Sequence, residues 1–520
     1  MNYKTSTEFT KRERIGDVYT DTAADYSLPD YCTDVRRILF TKADVLPSGK
    51  FETGESVEFS GIVSYTVVYV DAENQIGEAS FSSDYDFAVK CDAQTFCAST
   101  AKTSVSGYSL KLLGPRKISA KAALVSKVEL AKKETVEVSG DAFEKEEHPE
   151  VKMSCVGIQS MALSEVADRE YAEQLLHIDG VAADEVSVVY TDSECRVDSC
   201  EVSDGELSMK GEILVRALVN RAEDAMFVTE GRLKFDESIP SGMLTNGMVL
   251  SPNVNISSQK CTLSPDENGV SVVVNLIAEF SAMGVENQKI SVITDAYMKS
   301  QESENSFDSF RYSELADFVK DRFEHVDTVT KEELDAEGIR EAICLDASVK
   351  LESAEIEGDA VKMTGQIKYS GILSGVDENA KIFYHPFKHT SQFEQNININ
   401  CQNNGGLKAD IDLTVGGFKA SVDSSGLRLC SNISAAVTVS EEKELSRLVK
   451  STLVPDTEIS ANMAKIVVYY PEDGESLFDI AKKFHTTVEK VAMDNSISVK
   501  TALSDGEPTV SGVKKLLILN

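Results

Sequence analysis

The sequence predicts a mainly β protein: three tandem, antiparallel β-sandwich-like repeats followed by a small α+β module of βααβ order. Three observations carry this reading. An alternating apolar strand with a glycine at its middle recurs at a near-constant spacing. A turn signal precedes a second apolar strand late in each recurrence. Beyond Asp456 the apolar period changes from that of a strand to that of a helix.

The recurring strand reads Val57-Glu58-Phe59-Ser60-Gly61-Ile62-Val63-Ser64-Tyr65-Thr66-Val67, then Leu207 to Ala217 around Gly211, then Val361 to Gly371 around Gly365. Alternation of period two marks a strand with one buried face. A glycine held in mid-strand predicts a bulge, a sharp bend or the close approach of another backbone. Gly61, Gly211 and Gly365 lie 150 and 154 residues apart. Ser164-Glu165-Val166-Ala167 and Ser313-Glu314-Leu315-Ala316 match at a similar spacing of 149. The second strand follows Gly114-Pro115, Asn268-Gly269 or Ser425-Gly426, residue types that supply tight turns.

These registers divide the chain into an N-terminal extension (1–29), three β-rich repeats (30–150, 151–300 and 301–452) and a terminal module (464–520). The acidic stretches Lys132–Val151 and Ser300–Glu337 read as connectors, and Tyr312–Phe323 has helical spacing. Many short strands between turns suggest antiparallel sandwiches, whose sheet order is not legible from the sequence.

In the terminal module, Lys465–Tyr470 is a β-branched and aromatic strand, and Pro471–Glu475 a turn. Leu477, Ile480, Ala481 and Phe484 then fall on one helix face. Ser476 is placed to cap that helix, with Asp479 in the capping-box position. His485 ends it. Thr486 and Glu489 suggest a second capping box, Asn495 a left-handed C-cap, and Lys515–Leu519 a last strand.

Composition narrows the function classes. With 86 acidic and 52 basic residues the net charge is −34. That excludes nucleic acid as an expected partner, because such binding rests on neutralising phosphates. It also argues against an electrostatic grip on anionic lipid. The N-terminal residues show no apolar export signal, and no apolar run approaches the length that spans a bilayer, so a cytoplasmic location without a transmembrane segment is expected. Ten scattered cysteines without a Cys-x-x-Cys suggest reduced thiols. Six histidines, His385 and His389 among them, do not cluster with the cysteines, so no metal and no cofactor is expected. No nucleophile elbow, phosphate loop or zinc-helix motif occurs, and acidic pairs such as Glu146-Glu147 and Glu441-Glu442 lie in charged stretches. A non-enzymatic protein with no catalytic residue is therefore expected.

Tyr469 to Phe484, with Gly474, Leu477, Ile480-Ala481 and then Asn495 in register, resembles a LysM domain. That resemblance implies binding of N-acetylglucosamine glycans through two loops, here Gly474, Glu475, Ser476 and Leu477, and Asn495, Ser496 and Ile497. Glu475 stands where the family usually has Asp. Three glycine-centred β repeats ahead of such a module are similar to the SPOCS-domain, LysM-ended spore coat morphogenetic proteins of Firmicutes, the SipL-like layout. The layout implies a scaffold in spore coat assembly on the mother-cell side of the forespore surface, binding a coat-basement ATPase or another spore-assembly protein. The alternative it leaves open is a peptidoglycan-binding cell-wall protein.

Overall fold

The alternation seen in the sequence becomes antiparallel sheet almost throughout. The computed structural model describes residues 5–92, 94–145, 149–221, 226–334, 338–376, 378, 381–401, 405–459, 466–497, 509–510 and 514–519. The first stretch comprises β1 (Ser6–Ser27), β2 (Arg37–Glu52), β3 (Ser56–Val70), β4 (Ile76–Lys90), β5 (Phe96–Gly114) and β6 (Lys117–Glu137). The second comprises β7 (Glu150–Leu163), β8 (Ala167–Asp179), β9 (Val186–Ser203), β10 (Glu206–Arg221), β11 (Phe227–Pro240), β12 (Val249–Pro265) and β13 (Gly269–Tyr297). The third comprises β14 (Gln301–Thr330), β15 (Ile339–Glu357), β16 (Ala360–Val376), β17 (Ile382–Asn398), β18 (Leu407–Val422) and β19 (Gly426–Glu458).

Each stretch has the same strand order. A three-stranded meander, β2-β3-β4, β9-β10-β11 or β15-β16-β17, forms one sheet. The other sheet pairs the last strand with both its hairpin neighbour and the first strand: β1-β6-β5, then β13 flanked by β12 on one side and by β7 and β8 on the other, then β14-β19-β18. The two sheets of a stretch face each other across an apolar core. Val57, Val63 and Tyr65 meet Ala120, Leu124 and Leu130 in the first. Leu207, Ile213 and Phe235 meet Val274, Leu276 and Phe280 in the second. Val361, Ile367 and Tyr369 meet Leu427, Ile433 and Val437 in the third. Each fully buried side chain of this size contributes roughly 1.5–3 kcal/mol. Tyr65 and Tyr369 also place their hydroxyls against Ser83 and Ser431, at 3.2 and 2.7 Å.

The recurring glycines stand in the central meander strands, each opposite an aromatic residue: Gly61 with Tyr85, Gly211 with Phe235, Gly365 with Phe393. The ring lies across the glycine. A Cβ added there would fall 2.5 Å from Tyr85 Oη, 2.6 Å from Phe235 Cζ or 2.7 Å from the Phe393 ring. At Gly211 and Gly365 it would also strike the carbonyl oxygens of Arg196 and Lys350. The preceding strand slips register at each of these places: between Pro47 and Gly49, opposite Lys210 and Gly211, and between Leu351 and Ser353. A glycine, a bulge beside it and a ring over it thus form one device that lets the two neighbouring strands close in.

Three readings of the sequence need correction. Within the expected extension 1–29, Ser6–Ser27 is instead β1, which pairs with β6 from Ser6–Glu137 to Ser27–Lys117. Of the expected connector Ser300–Glu337, Gln301–Thr330 is a strand, and Tyr312–Phe323 inside it is no helix. This strand, β14, is the first of the third stretch and pairs with β19 from Gln301–Glu458 to Thr330–Gly426. Its register slips between Leu315 and Asp317, which shifts the inward residues by one and turns a period of two into a mixed spacing. β1 slips between Arg14 and Gly16, and β7 gives way to β8 at Ser164–Val166, so the matching Ser-Glu-x-Ala segments mark a break in the first strand. Glu146-Glu147 lies outside the described residues.

The three stretches meet in two shared apolar clusters. One joins Leu39 and Phe40, Val189 and Tyr190, and Ile343 and Leu345. The other joins Phe9, Ile158, Ile290 and Phe310 through the far ends of the long paired strands.

Candidate functional site

The last module begins with β20 (Ile466–Tyr469) and β21 (Glu475–Ser476). It continues through α1 (Leu477–Lys483), α2 (Val488–Asp494), β22 (Thr509–Val510) and β23 (Leu516–Leu519). β20 pairs with β23, and β21 with β22. Leu477, Ile480, Ala481 and Val491 pack against Leu516 and Ile518, the inner side of the β20–β23 pair. These helices are seven residues each, too short to persist alone, so caps and packing hold them. Ser476 Oγ accepts from the Phe478 and Asp479 amides at 3.1 and 3.3 Å. α2 is capped by Thr487, which accepts from Lys490 N, in place of the expected Thr486. Thr486 is buried and its amide donates to Ala481 O, which ties it to the end of α1. The left-handed residues that end the helices are His485 and Ser496, so Asn495 does not take the expected conformation.

Asn495 acts as a brace. Its Nδ2 donates to Val491 O and Leu517 O, and its Oδ1 accepts from Leu517 N at 2.6 Å, clamping β23 to α2. Glu475 accepts from Tyr469 Oη at 2.8 Å and from Glu472 N at 3.0 Å, which closes the turn before α1. Leu477 is a core residue and Ile497 packs partly against that core. The amides of Gly474, Glu475, Ser496 and Ile497 already donate to carbonyl oxygens within the module. Of the seven residues expected to bind a ligand, Gly474 and Ser496 are the exposed ones. Gly474 has a φ of +83° and open space where a Cβ would stand. Much of the segment after Ile497 lies outside the described residues.

The outer side of the β20–β23 pair is apolar and open. Ile466 is 63% exposed, Val468 52%, Tyr470 71% and Leu517 37%. Val468 and Leu517 are directly paired across the ladder.

α1 docks on the end of β13. The Tyr297 ring meets Phe478 edge-on at 5.1 Å, and its hydroxyl donates to Thr486 O at 2.6 Å. Lys482 Nζ bonds Asp295 Oδ2 at 2.6 Å, and Asp295 in turn accepts from Asn305. Burial raises the Tyr297 phenol, so the hydroxyl is a donor at every ordinary pH. No sequence signal identified Tyr297 or Asp295, because their partners are far along the chain. Replacing Tyr297 with phenylalanine leaves Thr486 O without its donor. The expected loss is about 1–2 kcal/mol, read as faster amide exchange in α1 with little change elsewhere.

His389 sits on edge strand β17 and its Nε2 lies 2.7 Å from Asp327 Oδ2. Among the described residues no group of three or more His, Cys, Asp or Glu side chains is arranged to hold a metal. All ten cysteines are unpaired. Among the described residues no helix is long and apolar enough to cross a membrane. No known family profile matches this chain, and no curated protein or solved structure does either.

Proposed function

We propose that this chain is a non-enzymatic scaffold in spore envelope assembly. Its three stretches are SPOCS-like repeats, and its last module is LysM-like and binds protein. The partner is the coat-basement ATPase, met in the mother-cell cytoplasm at the forespore surface. The observation that carries this reading is the open apolar side of the β20–β23 pair, Ile466, Val468, Tyr470 and Leu517. An apolar strand pair suits a protein surface better than a sugar, whose recognition needs free polar groups. The loops that would hold a glycan have spent the amides of Gly474, Glu475, Ser496 and Ile497 on internal bonds. A net charge of −34 adds a preference for a basic patch on the partner.

The test uses the full chain and its Val468→Asp variant. Wild type is expected to retain the coat-basement ATPase from a sporulating lysate, and Val468→Asp to lose at least about tenfold of that retention, because a charge is set in an apolar contact. Retention on insoluble peptidoglycan that survives Val468→Asp but fails on Ser496→Trp, with no ATPase bound, would replace this reading with glycan binding.

A further inference from the structure

The first meander strands β2, β9 and β15 bring one position of each stretch to a common place. Lys42, Asp192 and Asp346 ladder with Thr66, Arg216 and Ser370, which stand equally far beyond Gly61, Gly211 and Gly365. Their side chains converge beside the apolar cluster that joins the stretches. Lys42 Nζ lies 2.7 Å from Asp192 Oδ1, 3.2 Å from Asp44 Oδ1 and 3.9 Å from Asp346 Oδ1. The Lys42 side chain is only 12% exposed, and Asp44 sits at the open rim.

Next to this ring, Arg216 reaches Glu194 at 3.4 Å and Glu230 at 3.3 Å. Its guanidinium also stacks 4.0 Å from the Phe418 ring on β18. Lys42 and Arg216 therefore face Asp44, Asp192, Asp346, Glu194 and Glu230. The other titratable groups turned toward the ring are Tyr108 from β5, Tyr190 and Cys195 from β9 and Cys344 from β15, while Arg196, Arg232 and Lys419 line the same cavity as Glu194 and Glu230, with Arg196 and Arg232 paired to Glu212. Around Lys42 the carboxylates outnumber the cation, and Glu194 Oε1 is buried with no hydrogen-bond partner.

A shielded carboxylate without its own counter-charge keeps its proton to higher pH. Burial, reinforced by Asp192 and Asp44, pushes Asp346 up to about 6 despite Lys42. Burial pushes Glu194 up to about 7 despite Arg216. Against the cost of burial, Asp192 holds Lys42 charged.

We propose that this junction is a proton-linked clasp between the three β stretches: Lys42 ties Asp192 and Asp346 across them, and the surplus carboxylates take up protons as the stretches close together. The sign follows from the shifts. When the stretches part, the carboxyls return to their ordinary range, so between about pH 4 and 7 the closed form binds more protons. Closure is strongest at the acid end of that window and weakens as pH rises through 6 and 7.

The experiment follows the full chain from pH 5.5 to 8 by thermal unfolding and by amide exchange in β2, β9 and β15, with exchange corrected for its intrinsic pH dependence. The wild-type midpoint is expected to fall by roughly 2–5 °C more than that of the Asp346→Asn, Glu194→Gln double variant. Exchange at the junction rises with pH in wild type only. Parallel pH profiles in the two proteins would overturn the proposal. Infrared spectra of the unmodified chain give an answer that needs no variant. A protonated-carboxyl band that persists at pH 6.5 supports the clasp, and its absence there overturns it.

Discussion

Gly211→Val is expected to lower the stability of the chain by about 3 kcal/mol or more, read as a drop in the denaturant midpoint. The new Cβ meets two obstacles. The Phe235 ring lies 2.6 Å from its position and is packed on Phe280, and the Arg196 carbonyl oxygen occupies the other side. A flexible side chain could move aside, but a main-chain carbonyl on a bulge and a ring in the core cannot both do so. Valine adds two further methyl groups to the same space. Gly107→Ala is the control. Gly107 also lies in a strand beside a register slip, yet nothing stands within 4 Å of its Cβ position. That variant should unfold within about 0.5 kcal/mol of the parent. Equal effects at the two positions would show that Gly211 is present for some reason other than space.

Lys42→Met should be the second most damaging change, costing about 3 kcal/mol near pH 8. Methionine keeps most of the apolar stem, so the lost term is charge. Asp192 and Asp346 would be left shielded and facing each other across two stretches, with Arg216 already engaged by Glu194 and Glu230. Near pH 5.5 the loss should shrink, because a protonated Asp346 no longer requires the ammonium. Adding Asp192→Asn to Lys42→Met should restore part of the stability. A double-mutant cycle at both pH values measures this directly, and a coupling energy independent of pH would contradict the account.

What could be read in the sequence depended on how completely a segment is buried and how local its partners are. The strands around Gly61, Gly211 and Gly365 were legible because every second side chain enters a core. The first strands, β1 and β14, were not. They are half exposed, polar on their outer side, and broken in phase at Ile15 and Ala316, so their apolar residues lose the period of two. In the last module the Ser476 cap was legible because its partners are two and three residues away. The second cap fell one residue from its expected place, since Thr486 and Thr487 offer the same hydroxyl and only the tether to Ala481 separates them. The candidate loop was legible in position but not in use. Asn, Ser, Gly and Glu serve equally to bind a ligand or to hold the fold, and here Glu475 closes a turn while Asn495 clamps β23 to α2. Lys42 gave no sign, because a charged residue whose partners lie in two other stretches has no local pattern.

The pairing of each first strand with its last governs the order of events during synthesis. Ser6 must wait for Glu137, and Gln301 for Glu458, before either sheet is complete. Such distant pairings are slow to form, and β1 and β14 leave the ribosome long before β6 and β19 exist to receive them. A nascent chain halted before β19 would hold β14 without its ladder partner, and so would carry a long unpaired strand open to aggregation. Release of β19 is thus what completes the third stretch and closes that strand in.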